Sequence, residues 1–434
     1  MTTPTRTDNE AQGAPGAAPS GGARAEDGGT QPPDFTRRRR TVTLLALSTL
    51  LAMSAWFSTG AVGPALQAAR DYSGSDLTWM AIAVQAGFVV GTLTVAILNI
   101  ADIFRPQRVY LAGAILASIA AISLLPDQTA TPAIVSRFFI GLSLAAVYPV
   151  GMKVIAGWYQ AGRGLILGVM IGALSLGSGL PHLFGSLFDP DWQPAIIGAA
   201  VATLVGGIMV GFFVTTGPFT AKAAPFRPRY AIEVFKHRPT ALATSGYLGH
   251  MWELYAMWTW MPVFLLEVVG EKTILASFEL SKVLTFVVFA AGAVGCVAAG
   301  FGSERFGRTR AASAAMIGSG SIAVFIGFLP GEASVLIVVL AVIWGATVVA
   351  DSAQFSTAMT ELANPNYIGS ALALQTAVGF LLTIVSIRLV PIVENEAGWG
   401  VAFAMLAVGP ALGTLAMMRL RQLPEAAAMA GGRR

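Results

Sequence analysis

GFGSERFGRTR, residues 300–310, interrupts a long apolar stretch with one acid, three arginines and three glycines. A stretch of similar build, NIADIFRPQR, occupies residues 99–108, so that Asp102 precedes Glu304 by 202 residues. Gly164 and Gly369, each opening an apolar run, are 205 residues apart. A nearly constant offset of about half the apolar chain is the mark of one unit used twice. The loop at 300–310 therefore fixes the architecture: two copies, each with apolar segments on either side of a charged hinge.

The rest of the chain agrees. Of 434 residues, 55% are hydrophobic and only 12% are charged, against about 25% charged in soluble domains. Apolar runs of at least about 18 residues recur along the chain, each able to cross a hydrocarbon core of ~30 Å as a helix. The alternating segments of about ten residues that mark a β-barrel are missing from the sequence. The fold class is an all-α polytopic membrane protein with twelve transmembrane helices in two six-helix repeats. Gly, Pro and charge clusters place the helices at 42–66, 78–100, 108–125, 133–157, 164–187, 194–216, 241–268, 276–300, 310–329, 333–357, 367–391 and 398–420. The organisation predicted is a disordered, basic-ended tail over 1–40, a six-helix half over 41–217, a basic linker over 218–240, a second half over 241–420 and a tail over 421–434.

Charge sets the orientation. With the N-terminus inside, seventeen Lys and Arg residues fall on cytoplasmic loops and helix flanks, among them Arg37–Arg40, Arg227, Arg229 and Lys222, and only Arg70 and Lys272 fall outside. This is the positive-inside bias, and it predicts a multi-pass protein of the plasma or inner membrane with both termini cytoplasmic. A net charge of +4 spent on topology gives no reason to expect a nucleic-acid partner. The single cysteine, Cys296, rules out an internal disulfide and a multi-cysteine metal site. No metal site, cofactor or phosphate-binding loop is evident, so neither ATP drive nor an enzyme is expected.

An ionisable side chain within a span is costly and usually faces a cavity or a partner. Such residues here are Arg137, Lys153, His182, His250, Glu253, Asp351 and Arg388. In GHMWELYAMWTW, residues 249–260, His250 and Glu253 lie within about 60° of each other at ~100° per residue, and Met257 and Met261 continue that face. A His–Glu pair can exchange a proton as water access changes, so Glu253 is the expected proton carrier, with His250 tuning it or touching substrate and Asp351 as its rival. The alternative is a structural pair holding that helix against a neighbour. Arg137 and Tyr148 share a stripe on helix four, as do Trp344, Asp351 and Phe355 on helix ten. Met257 and Met261 beside His250 could be soft ligands for Cu(I), or ordinary core filling. Trp56 is the aromatic candidate for the cavity, while His182 is expected near the outer mouth.

These features resemble the major facilitator superfamily over about residues 41–420. Gly300, Glu304, Arg305, Gly307, Arg308 and Arg310 match the family's loop motif, usually G-x-x-x-D-R-x-G-R-R. The first-half copy keeps Asp102, Phe104 and Arg108, but has Arg105 and Pro106 where Gly and Arg are usual. Arg137, Gly141 and Ala145 resemble a second family motif on helix four. The resemblance implies alternating access, a central cavity lined by helices one, four, seven and ten, a gate at Asp102, Arg108, Gly300, Glu304, Arg305, Gly307 and Arg308, and a monomer in the bilayer. It implies a secondary transporter for a small-molecule substrate, with protons as a second partner. The stretch from Gly151 to Leu183 is similar to nitrate/nitrite and cyanate-type porters. However, helix two has no arginine and helix eight only Lys282, which departs from nitrate porters. Inorganic or organic anion uptake or exchange through Arg137 or Lys153 is the alternative, and a non-transporting receptor or sensor is the alternative of another class.

Overall fold

The computed structural model of the chain describes residues 35–159, 162–188, 191–220, 232, 235–270, 273–274, 278–364 and 368–434. The expected disorder of the N-terminal tail before residue 35, and the charges Lys222, Arg227, Arg229 and Lys272, lie outside the described residues. Apart from a two-residue antiparallel ribbon, Thr273–Ile274 with Phe278–Glu279, the ordered elements described are helices. Hydrocarbon offers backbone N–H and C=O groups no water, so apolar runs of this length adopt the form that bonds its own backbone.

Among the described residues the helices group into twelve spans. α1 is Phe35–Ala55 continued by Gly60–Arg70 after a 54° bend. α2 is Gly74–Ile97, α3 Pro106–Ile122, α4 Ala130–Ala156, α5 Arg163–Leu187 and α6 Gln193–Phe213. α7 is Arg238–Val269, α8 Leu280–Phe306, α9 Arg308–Phe325 and α10 Gly331–Leu362. α11 and α12 share the stretch Ile368–Gln422 and part at Gly398, whose φ of 75° no helix accommodates.

Local chemistry sets the ends. Ser73 and Asp76 form a capping box at the start of α2: Ser73 N donates to Asp76 Oδ2 at 2.9 Å, and Asp76 N donates to Ser73 Oγ at 3.2 Å. Proline stands in the first turn of α3, α6 and α7, where its missing N–H costs nothing. Gly307, at φ 97°, makes the turn from α8 to α9.

Three boundaries differ from the sequence reading. Arg37–Arg40 lie inside the first turns of α1 instead of ending the tail, because arginine is a good helix former and no Gly or Pro stands between Phe35 and Thr41. α11 continues through Pro391 to Gly398. Residues 421–434 are not a loose tail, since a 3-10 segment, Pro424–Gly432, buries Ala426 and Met429.

The first six spans and the last six form two bundles that meet mainly along α5 with α8 and α2 with α11. The α5–α8 approach requires small residues: a Cβ on Gly168 would lie 2.7 Å from the Cys296 carbonyl oxygen. The alternation of spans gathers Arg37–Arg40, Arg105, Arg108, Arg238, Arg305, Arg308, Arg310, Arg419 and Arg421 at one end, the basic end. Asp76, Asp127, Glu267, Glu279, Glu332 and Glu394 mark the opposite, acidic end.

Candidate functional site

A cavity of about 740 Å³ lies between the bundles, lined from α1, α2, α4, α5, α7, α8 and α11. Its mouth reaches the exposed Gly74, Ser75 and Asn395 at the acidic end, and five of its buried lining residues, Trp56, Gln85, Arg137, His182 and Trp258, form what is termed its floor. The walls between are largely apolar, with Leu77, Ala81, Pro262, Val263, Leu266 and Ile392.

The break in α1 builds the floor. Where an α-helix stops, its last carbonyls lose their partners, and Arg137 of α4 supplies donors to them. Arg137 Nη1 donates to Ala55 O at 2.9 Å and to Ser58 Oγ at 3.0 Å, and Nη2 donates to Trp56 O. No carboxylate pairs with Arg137 among the described residues. The bend also turns Trp56 onto Phe88, with ring centroids 4.9 Å apart, and toward Tyr255 and Phe380. Trp258 stacks on Phe289 at 4.8 Å, and the His182 ring lies 5.6 Å from that same phenylalanine.

Of the seven residues the sequence assigns to a cavity, only Trp56 and Arg137 line this one. His250, Glu253, Met257 and Asp351 are buried within the second bundle, and Tyr148 is half-buried at the break in α4. The pairing expected between His250 and Glu253 does not occur. Glu253 accepts from Trp344 Nε1 of α10 at 2.7 Å and from Ser319 Oγ of α9 at 2.8 Å. His250 Nδ1 stands 2.8 Å from Asp351 Oδ1, and Nε2 meets Ser352 Oγ at 2.7 Å. One helix face thus serves two separate acids, because α10 packs on α7 and Ser319 of α9 reaches the same face.

The basic end is closed by charge. Glu304 Oε1 accepts from Gly164 N at 3.2 Å, which joins α8 to the start of α5 in the other bundle. Arg308 Nη1 holds the same oxygen at 3.0 Å, and Nη2 reaches Glu361 Oε1 of α10 at 3.1 Å. Gly300 and Gly307 are buried in this knot. The 424–434 segment is tied in as well: Ala430 N donates to Glu361 Oε2 at 3.2 Å, and Arg433 Nη1 to Glu304 O at 2.5 Å. In the first bundle Lys153 of α4 bonds Asp102 Oδ1 at 2.5 Å. The copies differ: in the first a helix lysine holds the loop acid Asp102, and in the second Arg308 holds both the equivalent acid Glu304 and the helix acid Glu361. Arg305 is exposed beside the Phe306 ring, and Arg108 is exposed with no side-chain partner among the described residues.

Sequence reasoning did not single out Gln85, Trp258 or Glu361 as site residues, and it set His182 near the outer mouth, where the residue is buried in the cavity lining. Two of these carry a signal in the sequence. Gln85 is the one amide in the apolar α2, and Glu361 is an acid among the many arginines of the basic end. Among the described residues no cluster of three or more His, Cys, Asp or Glu is arranged to hold a metal.

Comparison with known proteins adds the lineage. The Major Facilitator Superfamily profile matches residues 45–387. Among solved structures, the human organic anion transporter MFSD10 (TETRAN) superposes with a TM-score of 0.67 at 16% identity, over 89% of this chain and 100% of its own. The proton:xylose symporter XylE bound to 6-bromo-6-deoxy-D-glucose superposes with a TM-score of 0.67 at 13% identity, over 88% of this chain and 96% of its own. At such identities the likeness is one of fold. No curated protein matches the sequence.

Proposed function

The chain belongs to the major facilitator superfamily, whose members are transporters and not enzymes, and from that premise we propose that it is a secondary active transporter moving a small solute by alternating access, coupled to protons. One observation carries this reading: the cavity of about 740 Å³ between the two bundles is open at the acidic end while the Gly164–Glu304–Arg308–Glu361 knot closes the basic end. The halves over 41–217 and 241–420 rock about the α5–α8 and α2–α11 contacts, the knot parts, and the mouth closes.

By the positive-inside bias the basic end is cytoplasmic, so this conformation faces outward. Both chain ends are then cytoplasmic, in a plasma or inner membrane, and the protein works as a monomer among lipids. Glu253 and the His250–Asp351 pair are the proton carriers in this scheme. Three ionisable groups buried in one bundle, bonded across α7, α9 and α10, are where a change of protonation alters helix packing. Their distance from the cavity lining makes the coupling act through α7, whose Trp258 is on the floor.

The test is proton movement into proteoliposomes carrying a pH-sensitive dye, wild type against Glu253→Gln, with small anions, amino acids and sugars outside. A solute that drives proton entry only in wild type supports the scheme. Solute uptake with no proton flux in either protein removes the coupling. Uptake or exchange of an anion without protons is the second reading, favoured by the unpaired charge of Arg137 and by the similarity of 151–183 to nitrate/nitrite and cyanate-type porters. Saturable binding with no flux of any kind makes the protein a receptor.

A further inference from the structure

Resting on the transporter reading, the geometry points to a small organic monoanion as the solute, a carboxylate on an apolar body whose oxygens dock on the cavity floor. Among the described residues fifteen buried side-chain polar atoms have no hydrogen-bond partner, and six of them belong to the five floor residues of this one cavity. They are Trp56 Nε1, Trp258 Nε1, Arg137 Nε, both His182 ring nitrogens and Gln85 Oε1. Buried polar groups in native proteins are almost always paired, so six unpaired atoms on residues that line one cavity mark groups kept for a ligand.

Their chemistry selects the ligand. The two indole N–H groups, the guanidinium N–H and one N–H of a neutral His182 are four donors. The other His182 nitrogen and Gln85 Oε1 are two acceptors. A carboxylate accepts at about four lone-pair positions and meets the four donors; two hydroxyls, each with one donor and two acceptor positions, would meet the same set, so the charge of Arg137 decides between the two. Arg137 is a buried cation with carbonyl partners and no acid, and a buried charge lacking its counter-ion is what an anionic solute would complete. A cationic solute would meet that charge on the floor. Of the three acids at the rim, Glu279 holds Lys282 at 2.6 Å and Glu267 accepts from Trp399 Nε1 at 2.7 Å, while Glu394 has no side-chain partner among the described residues. The apolar walls and the cavity volume suit an organic body and exceed what an inorganic anion fills.

Binding to the purified full-length chain in detergent tests this independently of transport. Tryptophan fluorescence and thermal unfolding are followed with benzoate and hexanoate, and with benzamide, xylose and nitrate as controls. Saturable binding of a carboxylate is expected, with benzamide at least roughly tenfold weaker, the loss expected of a hydrogen bond to a charged group. Trp56→Phe and Trp258→Phe keep the rings and remove one N–H each, and each should weaken carboxylate binding roughly tenfold. Arg137→Lys keeps the charge and loses the fork, with a larger loss. Should that variant fail to fold, the two phenylalanine variants decide alone. The proposal is overturned if neither carboxylate binds, if benzamide, xylose or nitrate binds as well as benzoate, or if both phenylalanine variants match wild type. Flux separates the two readings: carboxylate bound at the floor but never carried into proteoliposomes removes the transporter reading alone, and a carried neutral or cationic solute removes the anion alone.

Discussion

His250 and Asp351 are each only 2% exposed, which makes them the pair whose removal is most legible in stability. Leaving one partner of a buried ion pair without the other costs about 3–5 kcal/mol, so His250→Leu should lower the unfolding temperature sharply in detergent. Adding Asp351→Asn should recover most of the loss, and no recovery would mean that the histidine packs instead of pairing. Glu253→Gln is milder, because a glutamine oxygen can still accept from Trp344 or Ser319. It should leave the fold intact while solute-driven proton entry falls to the liposome background. An unchanged proton signal would pass the role to Asp351, with Asp351→Asn the variant to lose it. The sequence shows that buried charge concentrates on α4, α7 and α10, since charge in an apolar run needs no structure to be noticed. It does not show which charges meet. His250 and Glu253 share a helix face, yet two different neighbours cover that face, and partner choice belongs to packing that periodicity cannot express.

At the scale of elements, the twelve spans stood where apolar length placed them, because bilayer thickness fixes their length. The breaks did not show in that pattern. α1 bends between Ala55 and Gly60 and α4 breaks before Pro149, and the α1 break leaves at the cavity floor the carbonyls that Arg137 meets. Glycine and proline are common in transmembrane helices, so their presence alone could not say which helix gives way. The α5–α8 seam allows a sharper prediction. A Cβ at Gly168 would sit 2.7 Å from the Cys296 carbonyl oxygen, so Gly168→Val should push the two helices apart at the basic end while each bundle keeps its own core. Saturable binding from the acidic side should weaken with little change in unfolding temperature. A large fall in unfolding temperature would instead make this seam part of the folding core.

At the scale of the molecule, the single cysteine reports the state of the gate. Cys296 lies on α8, 1% exposed, with its Sγ 3.3 Å from Val349 O and its backbone against Gly168 of the other bundle. A thiol buried in this way is inert to alkylation, so in the conformation described here a maleimide should label it slowly. Opening the basic end must separate α5 from α8, which lets water and reagent reach it. The knot resists that separation through Arg308, which joins Glu304 and Glu361 while Glu304 grips Gly164. Because Glu304 and Glu361 are partly exposed, at 34% and 23%, each bond contributes modestly, on the order of 1 kcal/mol. Losing both with Arg308→Gln should raise Cys296 labelling by roughly tenfold at a fixed reagent concentration, since about 1.4 kcal/mol is a factor of ten in population. High salt should narrow the gap between variant and wild type, as screening weakens the same bonds in the intact protein. A ligand that holds the acidic end open should slow labelling in both proteins. Labelling that ignores Arg308, salt and ligand alike would mean that α5 and α8 do not part during the cycle, and that the basic end opens along α2 and α11.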